Sequence, residues 1–413
     1  MTINPTRSTA AALLTAVLER HRPLEEALDA LPPLEPRDRA AAHRLASHVL
    51  RRLGTIDALL EPWLRREPPA PARLALRIGT ADLLLLGTPP HAAVSAAVGL
   101  APKPLAGLVN AVLRRVAEAG PAALEGLDSE RLDTPPWLWG AWHAAYGPAV
   151  RAIARAHREP APLDLSLMPG AAPPEGGELL PTGTLRLPAG TRFSDLSGAG
   201  EARFWAQDAA AALPARLLAA RPGERVADLG AAPGGKTAQL AAAGARVTAV
   251  EKDAKRAGRL GENLRRLGLE AELAVADVLE WAPAERFDAI LLDAPCTATG
   301  TMRRHPDVPF LKRASDIAPL ADLQRRMLAA AARQLKPGGR LVFATCSLQP
   351  EEGEAHLATA ATLGLELDPV RPKEVPGLAE AVTRDGALRT RPDLWPERGG
   401  LDGFFVARFR ARA

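Results

Sequence analysis

The sequence predicts an α/β protein in which a doubly wound, largely parallel sheet fills the second half and an all-helical bundle precedes it. Three observations carry that prediction. From Arg7 to about Gly120 apolar residues return at helical spacing, as in Leu45, Val49, Leu53, Ile56 and Leu60. From about Glu201 onward, short apolar runs alternate with helical stretches, the pattern of βα units. Several of those runs end in a glycine-rich loop or an acidic residue, at the carboxyl ends of strands where such sheets bind ligands.

Length and composition set the frame. A chain of 413 residues exceeds what one core usually supports, and two or three domains are expected. Hydrophobic residues make up 47% and charged residues 24%, with both signs throughout, which excludes a chain disordered along its length. The net charge of +4 rests on cations that are overwhelmingly arginine. Guanidinium groups suit a phosphate-rich partner, although genomic base bias produces the same composition. Two cysteines far apart in sequence form neither a disulfide framework nor a zinc spacing, so no metal and a reducing cytoplasm are expected. The N-terminal STAAALLTAVLERHR runs into Glu19 and Arg20 with no small-residue cleavage site, and no stretch approaches the roughly 18 apolar residues of a membrane span. The expectation is a soluble protein with no membrane contact.

Along the chain, residues 1–132 read as the helical bundle, punctuated by PPLEPRD and GTPPH. Its His21, His43, His48 and His91 show no metal-ligand spacing and read as surface or capping residues. Residues 133–200 form a linker and a small subdomain. Proline clusters in LDTPPWLWG and REPAPL open it, and short strands are expected near Leu163 to Leu167 and Thr184 to Leu187. Residues 201–413 contain the candidate strands VADL (226–229), RVTAV (246–250), ELAV (272–275), DAILL (288–292) and RLVFA (340–344), separated by helices such as SDIAPLADLQRRMLAAAARQL.

The first of these strands runs into DLGAAPGGKT, and small residues at Gly230, Ala231, Ala232, Pro233, Gly234 and Gly235 let the backbone turn tightly against a ligand. Gly230, Gly235, Lys236 and Thr237 also match the phosphate-loop spacing G-x-x-x-x-G-K-[ST], so a nucleotide triphosphatase competes. The acidic strand ends favour a different ligand. Glu251 closes the second strand about twenty residues on, where a carboxylate accepts both hydroxyls of a ribose. Asp277 follows the third strand, where it suits an adenine ring, and Asp293 ends the fourth. One acid per strand end fits S-adenosylmethionine better than a triphosphate; for any single acid a helix cap is the alternative, as at Asp253.

Adjacent strands then deliver Asp293-Ala294-Pro295-Cys296 and Thr345-Cys346-Ser347 to the same sheet edge, beside the cofactor loop. Cysteine is often only a small buried hydrophobe, but two at neighbouring strand ends point to chemistry. A thiolate that adds to carbon-6 of a pyrimidine makes carbon-5 nucleophilic enough to take a methyl group from a sulfonium, and it remains a usable leaving group.

DLGAAPGGKT, DAPCTATG followed by RRHPD, ATCSLQPEE and the terminal DGFF resemble the bacterial small-subunit ribosomal RNA cytosine-5 methyltransferases of the RsmB/Sun/Fmu family. The resemblance extends to QDAAAALPARLL, LRIGTADLLLL and GLVNAVLRR, and so spans most of the chain. It implies a Rossmann-like methyltransferase domain that uses S-adenosylmethionine, behind a NusB-like bundle and an RRM-like subdomain shortened here. It implies Cys346 as nucleophile, Cys296 as the thiol that assists release, and Asp293 as the group that holds or protonates the base. Gly230 to Lys236, Glu251, Asp277 and Asp293 match its cofactor positions, with Lys236 alternatively facing the substrate. The DNA counterparts use the cysteine of a Pro-Cys dipeptide, which makes Cys296 the second candidate nucleophile.

Arg303, Arg304 and His305 follow the DAPC loop closely and are expected to meet RNA, with a solvated basic turn as the alternative. The target atom is unreachable in a stacked helix, so the substrate is an unpaired or flipped cytosine, and the resemblance points to 16S ribosomal RNA and a monomeric enzyme. A non-catalytic RNA-binding or ribosome-assembly factor remains the competitor from another class.

Overall fold

The computed structural model describes residues 5–412. Two compact units divide the chain: residues 5–159 with Met302–Arg313, and Pro160–Thr301 with Ala314 onward.

The first unit is helical. Pro5–Leu18, Pro36–Arg51, Leu53–Leu60, Ala70–Leu84, Pro90–Leu100 and Ala106–Ala119 pack around Leu13, Leu14, Val17, Leu45, Val49, Ile56, Leu60, Leu76 and Leu113. The helical unit runs past the expected boundary at 132. In LDTPPWLWG the second proline opens helix Pro136–Tyr146, and Val150–Arg158 follows. Proline at the first helical position gives up an N–H that has no partner there, so the clusters at Pro36, Pro90 and Pro136 start helices instead of ending the bundle. The run Met302–Arg313, expected in the catalytic domain, belongs to this unit as well. Asp307 Oδ2 accepts the Leu24 N–H at 2.8 Å, Arg51 Nη2 donates to the Arg303 carbonyl at 2.8 Å, and Phe310 packs against the helical core.

Four short strands begin the second unit: β1 (Leu163–Leu167), β2 (Glu178–Leu179), β3 (Leu185–Leu187) and β4 (Phe204–Ala206). They form an antiparallel sheet in the order β2-β3-β1-β4. That is the strand order of a β-α-β-β-α-β unit, yet the β1–β2 connection is a loop and the β3–β4 connection holds only the turn Phe193–Asp195. The RRM-like subdomain expected here is thus a bare sheet without helices. The buried pair of Arg186 with Asp164 at 2.7 Å fixes it, and Arg186 also donates to the Gly400 carbonyl at 2.7 Å.

The main sheet contains β5 (Arg225–Leu229), β6 (Arg246–Glu251), β7 (Glu272–Val275), β8 (Phe287–Asp293), β9 (Leu335–Thr345), β10 (Leu365–Leu367), β11 (Leu388–Arg389) and β12 (Phe405–Ala411). Its order is β10-β12-β9-β8-β5-β6-β7, with β11 beside β12. The five expected strands are present and parallel to one another, and β12 adds an antiparallel strand beyond β9. Both faces are buried, which is why the strands read as continuous apolar runs. Ala289, Leu291, Val342 and Val226 enter one core with Leu240 of helix Gly235–Ala242, while Ile290, Leu292, Leu341 and Phe343 enter the other with Leu328 of helix Ile317–Gln334. No helix among the described residues is long and apolar enough to cross a membrane.

His157 of the helical unit is buried against Trp142, with ring centroids 5.4 Å apart. Burial, with the Arg303 and Arg51 charges, depresses its pKa to about 3. A histidine with a depressed folded pKa stabilises fully above its unfolded pKa near 6.5, and that stability is lost as pH falls toward 3. Acidification from about pH 7 to 5 is therefore expected to cost wild type roughly 2 kcal/mol more than His157→Phe. Paired urea denaturation curves at the two pH values measure the difference.

Candidate active site

β5 ends in a turn that requires glycine. Gly230 has φ +79° and Gly234 has φ +102°. A Cβ on Gly230 would stand 2.3 Å from the Asp293 carbonyl oxygen, so the loop presses against the end of β8. The helix Ala254–Arg266 holds the loop from the other side: Arg256 Nη2 donates to the Ala232 carbonyl and Asn263 Nδ2 to the Pro233 carbonyl, both at 3.0 Å. Ala231 and Ala232 are buried beneath it.

The strand-end acids arrive as expected. Glu251 is buried at the end of β6; its Oε1 accepts the Asp253 N–H at 3.1 Å, while Oε2 accepts no hydrogen bond and lies 3.3 Å from Arg256 Nη1. Asp253 caps the helix by accepting the Arg256 N–H at 2.8 Å. Asp277 pairs with Lys252 at 2.8 Å, which holds its carboxyl below the usual range. Asp293 pairs with Lys236 at 2.7 Å.

Those partners separate the two readings of the glycine loop. In a phosphate loop the lysine and the hydroxyl that follows it face the nucleotide and its metal. Here Thr237 is fully buried and its hydroxyl donates to Asp228 Oδ2 at 2.6 Å, while Lys236 turns to Asp293 and lies 5.5 Å from the Phe404 ring centroid. Burial opposes the Lys236 charge, but Asp293 outweighs it, with help from Asp228 and Cys346, and the ammonium pKa is raised. Burial pushes the carboxyl of Asp228, the first residue of the loop motif, up to about 7, and its Oδ1 accepts no hydrogen bond.

The two thiols meet. Asp293 lies opposite Ala344 in the β8–β9 register, and Ala294 continues the ladder by donating to the Ala344 carbonyl at 3.0 Å. Beyond it, Cys296 Sγ and Cys346 Sγ are 3.4 Å apart as free cysteines, both partly accessible. The Gly300 N–H donates to the Cys346 carbonyl at 3.0 Å, and a Cβ on Gly300 would meet the Gly403 carbonyl oxygen at 2.0 Å, so the DGFF segment closes over the loop. The hydrogen bond with Cys346, then burial, then the charges of Cys346 and Glu352, raise Cys296 well above the ordinary thiol range.

The basic run needs correction. Arg303 is 1% exposed within the helical unit, because Pro306, Val308 and Phe310 carry an apolar segment into that unit and draw the arginine with them. Its buried guanidinium does not present itself to an RNA phosphate. Arg304 is half-buried and His305 exposed, so of the three only these reach the surface. Sequence reasoning also passed over Glu352, Gln324 and Thr297, which stand immediately behind the thiols. Only the Glu351-Glu352 pair just after Cys346 offered a signal, and acidic residues after a strand read first as solvated.

The family model described as "16S rRNA methyltransferase RsmB/F" matches residues 215–410, and that of the NusB family matches residues 4–118. The "Ribosomal RNA small subunit methyltransferase B" of Thermus thermophilus is 38% identical over 389 residues, covering 92% of this chain and 90% of the relative. That of Xylella fastidiosa is 38% identical over 428 residues, covering 97% and 98%. A solved methyltransferase homolog from Pyrococcus horikoshii is 28% identical with a TM-score of 0.56, over 66% of this chain and 93% of that one.

The cofactor of these methyltransferases is S-adenosylmethionine, and the residues present fit it. Glu251 Oε2 accepts no hydrogen bond within the protein and so retains the capacity to take one from a ribose hydroxyl, and the glycine loop carries only small side chains between Gly230 and Gly235. Loss of a charge-assisted hydrogen bond costs about 1.5–3 kcal/mol, so Glu251→Ala is expected to weaken S-adenosylmethionine binding roughly 10- to 100-fold by calorimetric titration. With a family match over the catalytic half and relatives aligned along nine-tenths or more of both chains, the chain belongs to the RsmB/F family of 16S ribosomal RNA methyltransferases.

Proposed function

We propose that this enzyme methylates carbon-5 of an unpaired cytosine in small-subunit ribosomal RNA, through a covalent bond between Cys346 and carbon-6. The observation that carries the proposal is the 3.4 Å approach of two free thiols beside the Lys236–Asp293 pair. A single structural cysteine needs no such partner. The relatives named for small-subunit ribosomal RNA supply the substrate class.

When bound, S-adenosylmethionine supplies an electrophilic sulfonium methyl group. Cys346, acting as a thiolate, gives its sulfur electron pair to carbon-6. Carbon-5 gains the electron density to take the methyl group. Asp293, steadied by Lys236, holds the base near its ring nitrogen and amino group. The carbon-5 proton then passes to solvent, the carbon–sulfur bond breaks, and its electron pair returns to Cys346. Cys296, whose raised pKa keeps it a thiol at neutral pH, donates its S–H to the departing sulfur.

A base buried in a duplex offers no path to carbon-6, so the substrate is a looped or flipped cytosine. The triphosphatase alternative loses its support because Thr237 and Lys236 are engaged inside the protein.

Wild type, Cys346→Ala and Cys296→Ala proteins, incubated with labelled S-adenosylmethionine and small-subunit ribosomal RNA, test the assignment. Cys346→Ala is expected to lose transfer by at least about a thousandfold. Cys296→Ala is expected to accumulate a protein–RNA adduct on a denaturing gel. Transfer that persists without Cys346 would move the nucleophile to Cys296, and no transfer by wild type would favour the non-catalytic binding factor.

A further inference from the structure

A buried polar cluster of the catalytic unit lies behind the thiols. Glu352, in the short turn Pro350–Glu352, is 0% exposed. Its Oε1 accepts the Thr297 N–H at 2.9 Å and Gln324 Nε2 at 3.2 Å. Its Oε2 accepts the Ser347 hydroxyl at 2.6 Å and the Thr297 hydroxyl. Thr297 is the residue after Cys296, and Ser347 is the residue after Cys346. One carboxylate thus clamps the loop of each thiol.

The clamp extends in two directions. Gln324 Nε2 also donates to the Pro295 carbonyl at 2.8 Å, on the other side of Cys296, and His356 Nε2 lies 2.9 Å from Gln324 Oε1. Thr345 Oγ1 donates to the Glu352 carbonyl at 2.8 Å, and Arg389 donates to the Ser347 carbonyl. A fully desolvated carboxylate is costly, and cores that need only packing use apolar residues instead. Here these four hydrogen bonds all come from the cofactor-edge loops and the helix behind them.

We propose that Glu352 is a positioning residue for both thiols: it fixes their separation and places a negative charge behind Cys296 that keeps the shared proton on that sulfur and leaves Cys346 as the nucleophile. The charged and titratable groups that face the pair are Lys236 from the helix after the glycine loop, Asp293 at the end of β8, and Glu352, His356 and Arg389 from segments that follow Cys346. Glu352 disfavours negative charge on Cys296. Burial depresses His356 to about 4, so it is neutral at working pH and adds no charge. The division of labour between two chemically identical side chains then comes from the carboxylate that stands behind one of them.

The catalytic half of this inference rests on the thiol roles proposed above, so the test uses a readout that needs no RNA. Iodoacetamide labelling of each cysteine, followed by mass spectrometry across pH 6 to 10, compares wild type with Glu352→Gln. Glutamine keeps the shape and removes the charge. The expected result is a Cys296 labelling midpoint about one pH unit lower and a Cys346-to-Cys296 rate ratio reduced about tenfold, with S-adenosylmethionine affinity unchanged. In methyl transfer, kcat falls tenfold or more while KM for RNA stays within twofold. Should Glu352→Gln fail to fold, Thr297→Val removes the hydroxyl that bonds Glu352 and Ser347 while keeping the backbone N–H bond to Glu352, and is expected to loosen the Cys296 loop and raise Cys296 labelling severalfold. Labelling profiles that match wild type in a folded variant overturn the proposal whatever the activity. A shifted profile supports it even where no RNA methylation is detected.

Discussion

The register that sets Asp293 opposite Ala344 in the β8–β9 pair governs the geometry of the active edge. Side chains alternate along a strand, so a slip of one residue would turn every buried group of β9 to the wrong core and carry Cys346 away from Cys296. The register is held by both cores at once, because Ile290 and Leu292 face one and Leu291 the other, with Leu341, Val342 and Phe343 matching them in β9. Once it is set, the two loops leave the sheet side by side. Their thiols then need only local hydrogen bonds to meet.

Charge at this edge is concentrated in carboxylates, with Lys236 at their centre. Asp228, Asp293 and Glu251 surround the glycine loop, and Glu352 lies behind the thiols. A lysine taken out of water would ordinarily lose its proton, yet Asp293 at 2.7 Å reverses that tendency. The ammonium also lies within electrostatic reach of Cys346. The glycine loop and the second thiol are therefore linked by charge as well as by the sheet.

Much of this was legible in sequence, because parallel strands announce themselves. VADL, RVTAV, ELAV, DAILL and RLVFA all lie within observed strands, and Glu251, Asp277, Asp293 and both cysteines stand at or just beyond their ends. β12 was not legible. In its ARFRA half apolar residues alternate with arginines, and the buried Arg408 is held by Glu374 at 2.7 Å and Asp368 at 3.3 Å, partners thirty-four and forty residues away that no local pattern reveals. The helical residues between 132 and 159 were hidden for another reason. Proline ends one helix and begins the next with equal ease, and only tertiary packing tells which. Arg303 misled because an arginine beside a loop reads as solvent-exposed, whereas its fate was set by the apolar residues after it.

The run Met302–Arg313 makes the helical unit discontinuous in the gene: its last piece is encoded inside the catalytic half, immediately after the loop that carries Cys296. Modular proteins are commonly cut or shuffled at the linker between domains. Here such a cut at residue 160 would strip the bundle of Asp307 and its hydrogen bond to Leu24, and would leave Val308 and Phe310 on the catalytic fragment without the core that covers them. A boundary drawn along the sequence therefore does not coincide with a boundary drawn through the fold.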